Sequence, residues 1–219
     1  YNKKESLIFY EKNFFSVFTI VVMSSVFCNP KISDANPFPS DTNKIIFKCG
    51  SEEAEEIQRK TDSGFDKRKK EFNDDIREYL QKNSNPNLQR AVIIIPIVFH
   101  IVWRTAAENI SDSCIISQME ALNRDFRKLS TDILNVPAHI QALAVDCELN
   151  FCFATKDPQG NPTNGIVRKQ TTKTSFDPLT GTVAFAANGG DDTWGSDKYL
   201  NIWVCNMGTS IAGYVTAVG

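Results

Sequence analysis

The side chains with the greatest chemical reach in this 219-residue sequence are few: two histidines, six cysteines and one acidic loop. His100 lies in a β-branched run and His139 follows Val136-Pro137-Ala138, and neither has a second histidine three or four residues away. Metal and triad chemistry need convergent partners, so each lone histidine reads first as a structural or surface residue. The sequence holds no HExxH pair, no CxxC pair, no GxSxG elbow and no Walker loop. Cys147 and Cys152, with four residues between them, lack redox spacing and read as half-cystines. Asp191, Asp192 and Asp197 lie in a Gly-rich loop and are candidate calcium ligands, although EF-hand spacing is absent and a plain polar loop is the alternative.

Composition narrows the classes around these residues. Hydrophobic residues make up 42% and charged residues 23%, which is globular and argues against overall disorder. The net charge of −2, from 24 basic and 26 acidic side chains, gives no support to a nucleic-acid binder. The chain begins with Tyr1 rather than Met and ends at Gly219 just after an apolar run, so we expect a piece of a longer protein.

Three regions must position whatever chemistry there is. In residues 1–35, Lys3, Lys4 and Lys12 precede the uncharged run Phe14–Phe27, the pattern of an export signal. The run is shorter than the ~20 residues a bilayer span requires, so no stable membrane insertion is expected after cleavage, and the protein is expected to be secreted or extracytoplasmic. Residues 36–90 read as a pro-segment with a charged helix, in which Phe65, Phe72, Ile76, Tyr79 and Leu80 form a thin apolar stripe. The run Lys67-Arg68-Lys69-Lys70 is either a solvated helix face or a processing site.

Residues 91–219 read as a compact α/β (α+β) domain, a mixed twisted sheet with a backing helix. Strands are expected at Ala91–Trp103, Glu148–Ala154, Gly165–Lys169, Tyr199–Cys205 and Ile211–Val218, with a helix starting at Ser111 or Asp112. Pro96 inside the first strand implies a bulge or a place near an edge. Cys152 and Cys205 fall on expected strands and are a candidate disulfide, with Cys114–Cys147 as the second pair.

Several motifs in this region resemble, in their shared order, the pappalysin family of metzincin zinc metalloendopeptidases. They are Ile95–Val102, Asn109–Asp112, Leu122–Arg127, Val136–Ala138, Phe151–Ala154, Asp157–Ile166, Gly189–Trp194 and Tyr199–Asn206. Cys114 departs from the pattern, standing where the family commonly has Gln. The resemblance implies a secreted protease acting on protein or peptide substrates by zinc-activated water. The family's zinc helix, HExxHxxGxxH, lies C-terminal to the last strand here, so no catalytic residue and no zinc ligand is expected in this chain. It also implies that Ala212, Gly213, Tyr214 and Val215 form an upper-rim edge strand that holds substrate; an interior core strand is the alternative. Cys49-Gly50 resembles a cysteine switch, in which a pro-segment thiolate blocks the zinc, with a half-cystine or plain linker thiol as the alternative. A reading from another class is an exported, non-catalytic binding or adhesion module on the same fold.

Overall fold

The sheet is built from β-branched and aromatic runs that have no helical period, and the helices from segments whose apolar residues recur three or four apart. The computed structural model describes residues 19–23, 48–82, 91–177, 180–208 and 211–216. Its elements, in chain order, are β1 (Thr19–Met23), β2 (Lys48–Cys49), α1 (Ser51–Thr61), α2 (Phe65–Lys82), β3 (Ile93–Trp103) and α3 (Asp112–Phe126). A 3-10 turn over Thr131–Asn135 and the short α4 (Ala138–Gln141) lead into β4 (Leu149–Phe153) and β5 (Ile166–Gln170). Two 3-10 turns, Thr182–Ala184 and Ala186–Asn188, precede β6 (Leu200–Cys205) and β7 (Ile211–Thr216).

The seven strands form one sheet in the order β2-β7-β1-β6-β3-β4, with β5 also paired to β3. β4 takes the first half of β3, Ile93 to Ile97, and β5 the second half, Phe99 to Trp103, both in parallel. β6 is buried at every position and parallel to both of its neighbours, the setting that favours an unbroken apolar run. β7 runs antiparallel to β1, and β2 is parallel to β7. The expected α/β architecture is therefore present.

Pro96 sits near a local edge, as its chemistry requires. The Ile97 carbonyl accepts from the Ala154 amide on the β4 side. By strand alternation the donor-less nitrogen of Pro96 faces the other way, where pairing with β6 begins only at Ile97.

Two apolar layers cover the sheet. Ile95, Ile97, Phe99 and Ile101 point to one face, where they cluster with Ile115 and Met119 of α3. Val102, Trp203 and Cys205 point to the other, which α1 and the irregular stretch before β6 cover through Ala54, Phe176 and Val183. Asn123 of α3 reaches the outer side of β4. Its amide donates to the Phe151 carbonyl (2.9 Å) and its oxygen accepts from the Phe151 N–H (2.6 Å), so a side chain replaces a neighbouring strand there.

One expectation changes, and one expected signal also supplies a strand. The charged segment is two helices, not one, because Asp62-Ser63-Gly64 breaks it: the Asp62 carboxylate accepts from the Gly64 amide (2.9 Å) and pairs with Arg68. And Thr19–Met23, inside the run read as an export signal, forms β1, because a short β-branched run suits a buried strand as well as a signal. The rest of that run and the 83–90 connection lie outside the described residues. Among the described residues no helix is long and apolar enough to cross a membrane.

Candidate functional site

The residues expected to hold substrate all lie on β7, but β7 is covered on both sides. β1 pairs with one side, and on the other Lys48 and Cys49 lie opposite Ile211 and Gly213. The contact is extended by the Gly50 amide, which donates to the Gly213 carbonyl (2.9 Å), and by Ser51, whose Oγ accepts from the Val215 amide (3.1 Å). The chain turns into α1 at Ser51, so no further carbonyl is available for Val215; the hydroxyl takes its place. A Cβ at Gly50 would lie 2.9 Å from Ile211 Cγ2, so a larger residue there would have to push the Ile211 side chain aside. Behind this contact Ala54 is buried with Ile211 and Tyr214. Burial pushes the Tyr214 hydroxyl well above its ordinary range, so it stays protonated. Gly213 and Val215 are half-buried.

Cys49 is a free, exposed thiol that donates to Ser51 Oγ at 3.2 Å. The helices behind it are tied by charge. Lys69 is the main cause of the lowered Glu55 carboxyl, and Glu55 also takes Arg59 at 2.8 Å. The basic run presents no free cationic stripe: Lys67 faces Glu71, Arg68 faces Asp62, Lys69 faces Glu55 and Lys70 faces Asp74.

The expected disulfides are not formed. Cys152 and Cys205 are free thiols on β4 and β6, with β3 between them. Two strand spacings come to about 9.5 Å, beyond disulfide reach. Their registers are also offset, with Cys152 opposite Pro96 and Val204, the residue before Cys205, opposite Ile101. Burial raises the Cys152 thiol, and burial followed by the nearby Glu108 pushes Cys205 up to about 12. Cys147 is also a free thiol, so the Cys114–Cys147 pair is absent.

The acidic loop does not form a calcium cage. Asp191 lies 2.6 Å from His100 Nδ1, and Asp192 accepts from the Ala186 amide at 2.7 Å. Among the described residues no group of three or more His, Cys, Asp or Glu could hold a metal ion. His100 is fully buried and His139 is exposed on α4, so the two do not converge on one site.

Sequence reasoning missed Ser51, Asn123 and Asn201. Ser51 carried a signal, since Gly-Ser-Glu-Glu is a helix-start pattern. The two asparagines act on elements 28 and 101 residues away and carried none.

This arrangement, a mixed α/β sheet with helices and no closed barrel, matches a metallopeptidase-like fold. Solved structures similar to it include those of mirolysin, a metallopeptidase. A promirolysin mutant from Tannerella forsythia is 38% identical, with 76% of this chain and 53% of that one covered, at a TM-score of 0.63. Mature mirolysin from Tannerella forsythia, in complex with a cleaved peptide, is 35% identical over 58% of this chain and 53% of that one, at a TM-score of 0.53. A mirolysin complex with a compound is 37% identical over the same shares, again at a TM-score of 0.53. The chain thus spans about half the length of the structures it matches. The similarity supports a metalloprotease family and does not single out the pappalysins. No family model and no curated protein matches the sequence.

Proposed function

We propose that this chain belongs to an exported zinc metalloendopeptidase made as a latent precursor, in which residues 48–61 lie on the strand that holds an extended peptide substrate. The observation that carries this reading is the pairing of Lys48–Gly50 with Ile211 and Gly213 on β7. A strand that accepts one extended segment through its backbone can accept another of similar shape, which is how β-strand addition works. A second support is the comparison itself: promirolysin, the precursor, matches a larger share of this chain than mature mirolysin does. Pairing through the backbone also suits peptide substrates of varied sequence, and the mature mirolysin structure carries a cleaved peptide.

In this reading the zinc ligands and the general base lie outside these 219 residues, and zinc supplies the activated water there. This chain's own part is to hold the peptide on β7 and, before maturation, to keep β7 covered. Cys49 is the latency thiol, exposed and free on the covering segment. Export rests on the basic flank and apolar run of the amino end. A signal that is removed does not also supply β1, so sequencing the amino end of the secreted protein separates the two roles of residues 19–23.

The test begins with the coding sequence beyond Gly219, where an HExxHxxGxxH run is expected. The full precursor is then assayed on peptides with and without a chelator. Latency relieved by Cys49→Ala, and activity abolished by the chelator, is the expected outcome. An equally inactive Cys49→Ala precursor would sink the switch. Peptide binding without any cleavage or zinc would leave the non-catalytic binding module instead.

A further inference from the structure

We propose that a single proton held between His100 and Asp191 latches the stretch before β6 onto the sheet, with His100 kept as an imidazolium. The proposal is independent of the activity above and starts from a hydrogen-bond inventory. His100 is fully buried on β3, its ring stacked on Trp203 at 4.8 Å and 14° and met edge-on by Trp194 at 6.1 Å. Its two ring nitrogens have one partner each: Nε2 is 3.0 Å from Asn201 Oδ1, and Nδ1 is 2.6 Å from Asp191 Oδ2.

The Asn201 amide cannot be turned over. Its Oδ1 accepts from the Trp194 amide (2.8 Å), and its Nδ2 donates to the Trp194 carbonyl (2.9 Å). A flip would set donor against donor and acceptor against acceptor. The atom facing His100 Nε2 is therefore an oxygen, and Nε2 must carry a hydrogen. A neutral ring with its hydrogen on Nε2 leaves Nδ1 bare, facing a carboxylate oxygen at 2.6 Å. Two lone pairs do not meet at that distance in a buried site, so the contact holds a proton. With that proton on Nδ1, both nitrogens donate and the pair is an imidazolium with a carboxylate.

The Asp191 backbone fixes where its carboxylate stands. Its amide donates to the Val183 carbonyl (2.9 Å), and its carbonyl accepts from the Trp203 indole N–H (3.0 Å). Gly190 beside it has no room for a side chain, since a Cβ would lie 2.0 Å from the Val183 carbonyl oxygen. The groups facing the ring are Asn201 and Trp203 from β6, and Asp191 and Trp194 from the covering stretch. Asp191 is the ionisable one among these described contacts, while Asp192 is turned to Ala186. On β5 the neighbour of His100 is Val167.

The test uses the chain as it stands. Nitrogen-15 NMR of the two histidines at neutral pH has exposed His139 as its internal reference. Both His100 ring nitrogens are expected to be proton-bearing at neutral pH. A bare, pyridine-type Nδ1 there would overturn the imidazolium. Near-ultraviolet circular dichroism follows the packing of Trp194 and Trp203, and its signal is expected to fall in Asp191→Ala, which leaves Nδ1 without its partner. In Asp191→Asn the carboxamide offers an N–H to a neutral ring, so the signal is expected to be kept. A signal in Asp191→Ala equal to that of wild type would overturn the latch. If neither variant folds, the wild-type nitrogen shifts decide the matter alone.

Discussion

Ser51 Oγ and the Val215 amide form a 3.1 Å hydrogen bond between residues 164 positions apart, joining the first residue of α1 to the next-to-last residue of β7 through a hydroxyl. That bond stands where a ladder carbonyl would stand if β2 continued, so the hydrogen-bonded pairing along β7 ends on one side-chain atom, with Ala54 packed behind it.

Ser51→Ala removes that acceptor and leaves a part-buried N–H unpaired, at a cost of about 1–3 kcal/mol to the local docking. Amide hydrogen exchange is expected to quicken at Val215 and Gly213 while β3 and β6 stay protected. Unchanged exchange at Val215 would mean that water or another group serves as well.

Asn123→Ala should destabilise the whole domain, because both backbone groups of Phe151 lose their partner at once. We expect a loss of about 1–3 kcal/mol in denaturant unfolding. Asn123→Asp keeps the acceptor but not the donor, and should also destabilise. A midpoint unmoved by either change would show that the outer side of β4 is satisfied in another way.

Thiol labelling should sort the free cysteines by position. Cys49 and Cys147 are exposed and should react in the folded protein, whereas buried Cys205, raised to about 12, should react only after unfolding. Rapid labelling of Cys205 under native conditions would contradict its packing between Val102 and Tyr214.

Glu108 supplies a pH test with a definite sign. Burial works against its charge, but the Arg104 and Thr105 amides and the Asn206 side chain outweigh that and hold the carboxyl below its ordinary value. A lowered carboxyl stabilises above its unfolded value, about 4.3, and the contribution is lost as pH falls through the lower folded value. Glu108→Gln should therefore flatten part of the acid limb of a stability profile and leave the neutral region less stable. An acid limb unchanged by the substitution would remove Glu108 from the account.

Local pattern was enough for β3, α3, β4, β5 and β6, whose observed ends fall within two residues of their expected ones, because each buries a face that its own residues define. It was not enough for the helix break at Asp62, where a single carboxylate captures the Gly64 amide and competes with the helix. Nor could it reveal the role of His100, since a histidine in a buried strand gains a partner only when Asp191, 91 residues later, is folded over it. The Cys152–Cys205 expectation failed for a related reason: two residues on strands are neighbours only if the strand order makes them so, and β3 lies between. That Lys48–Gly50 would lie along β7 was not legible either, because nothing in so short a segment says which strand it meets.

The position of β2 along the chain has a consequence for synthesis. An unpaired strand edge is a template for pairing with other chains. Residues 48–61 leave the ribosome about 150 residues before Ile211–Thr216, so the segment that covers this edge is already waiting when the edge is made. The order of translation thus protects β7 from aggregation during the interval when it would be most exposed. The same order makes closure slow, because β2 and β7 can meet only across almost the whole chain, the kind of distant pairing that raises contact order and lowers folding rate.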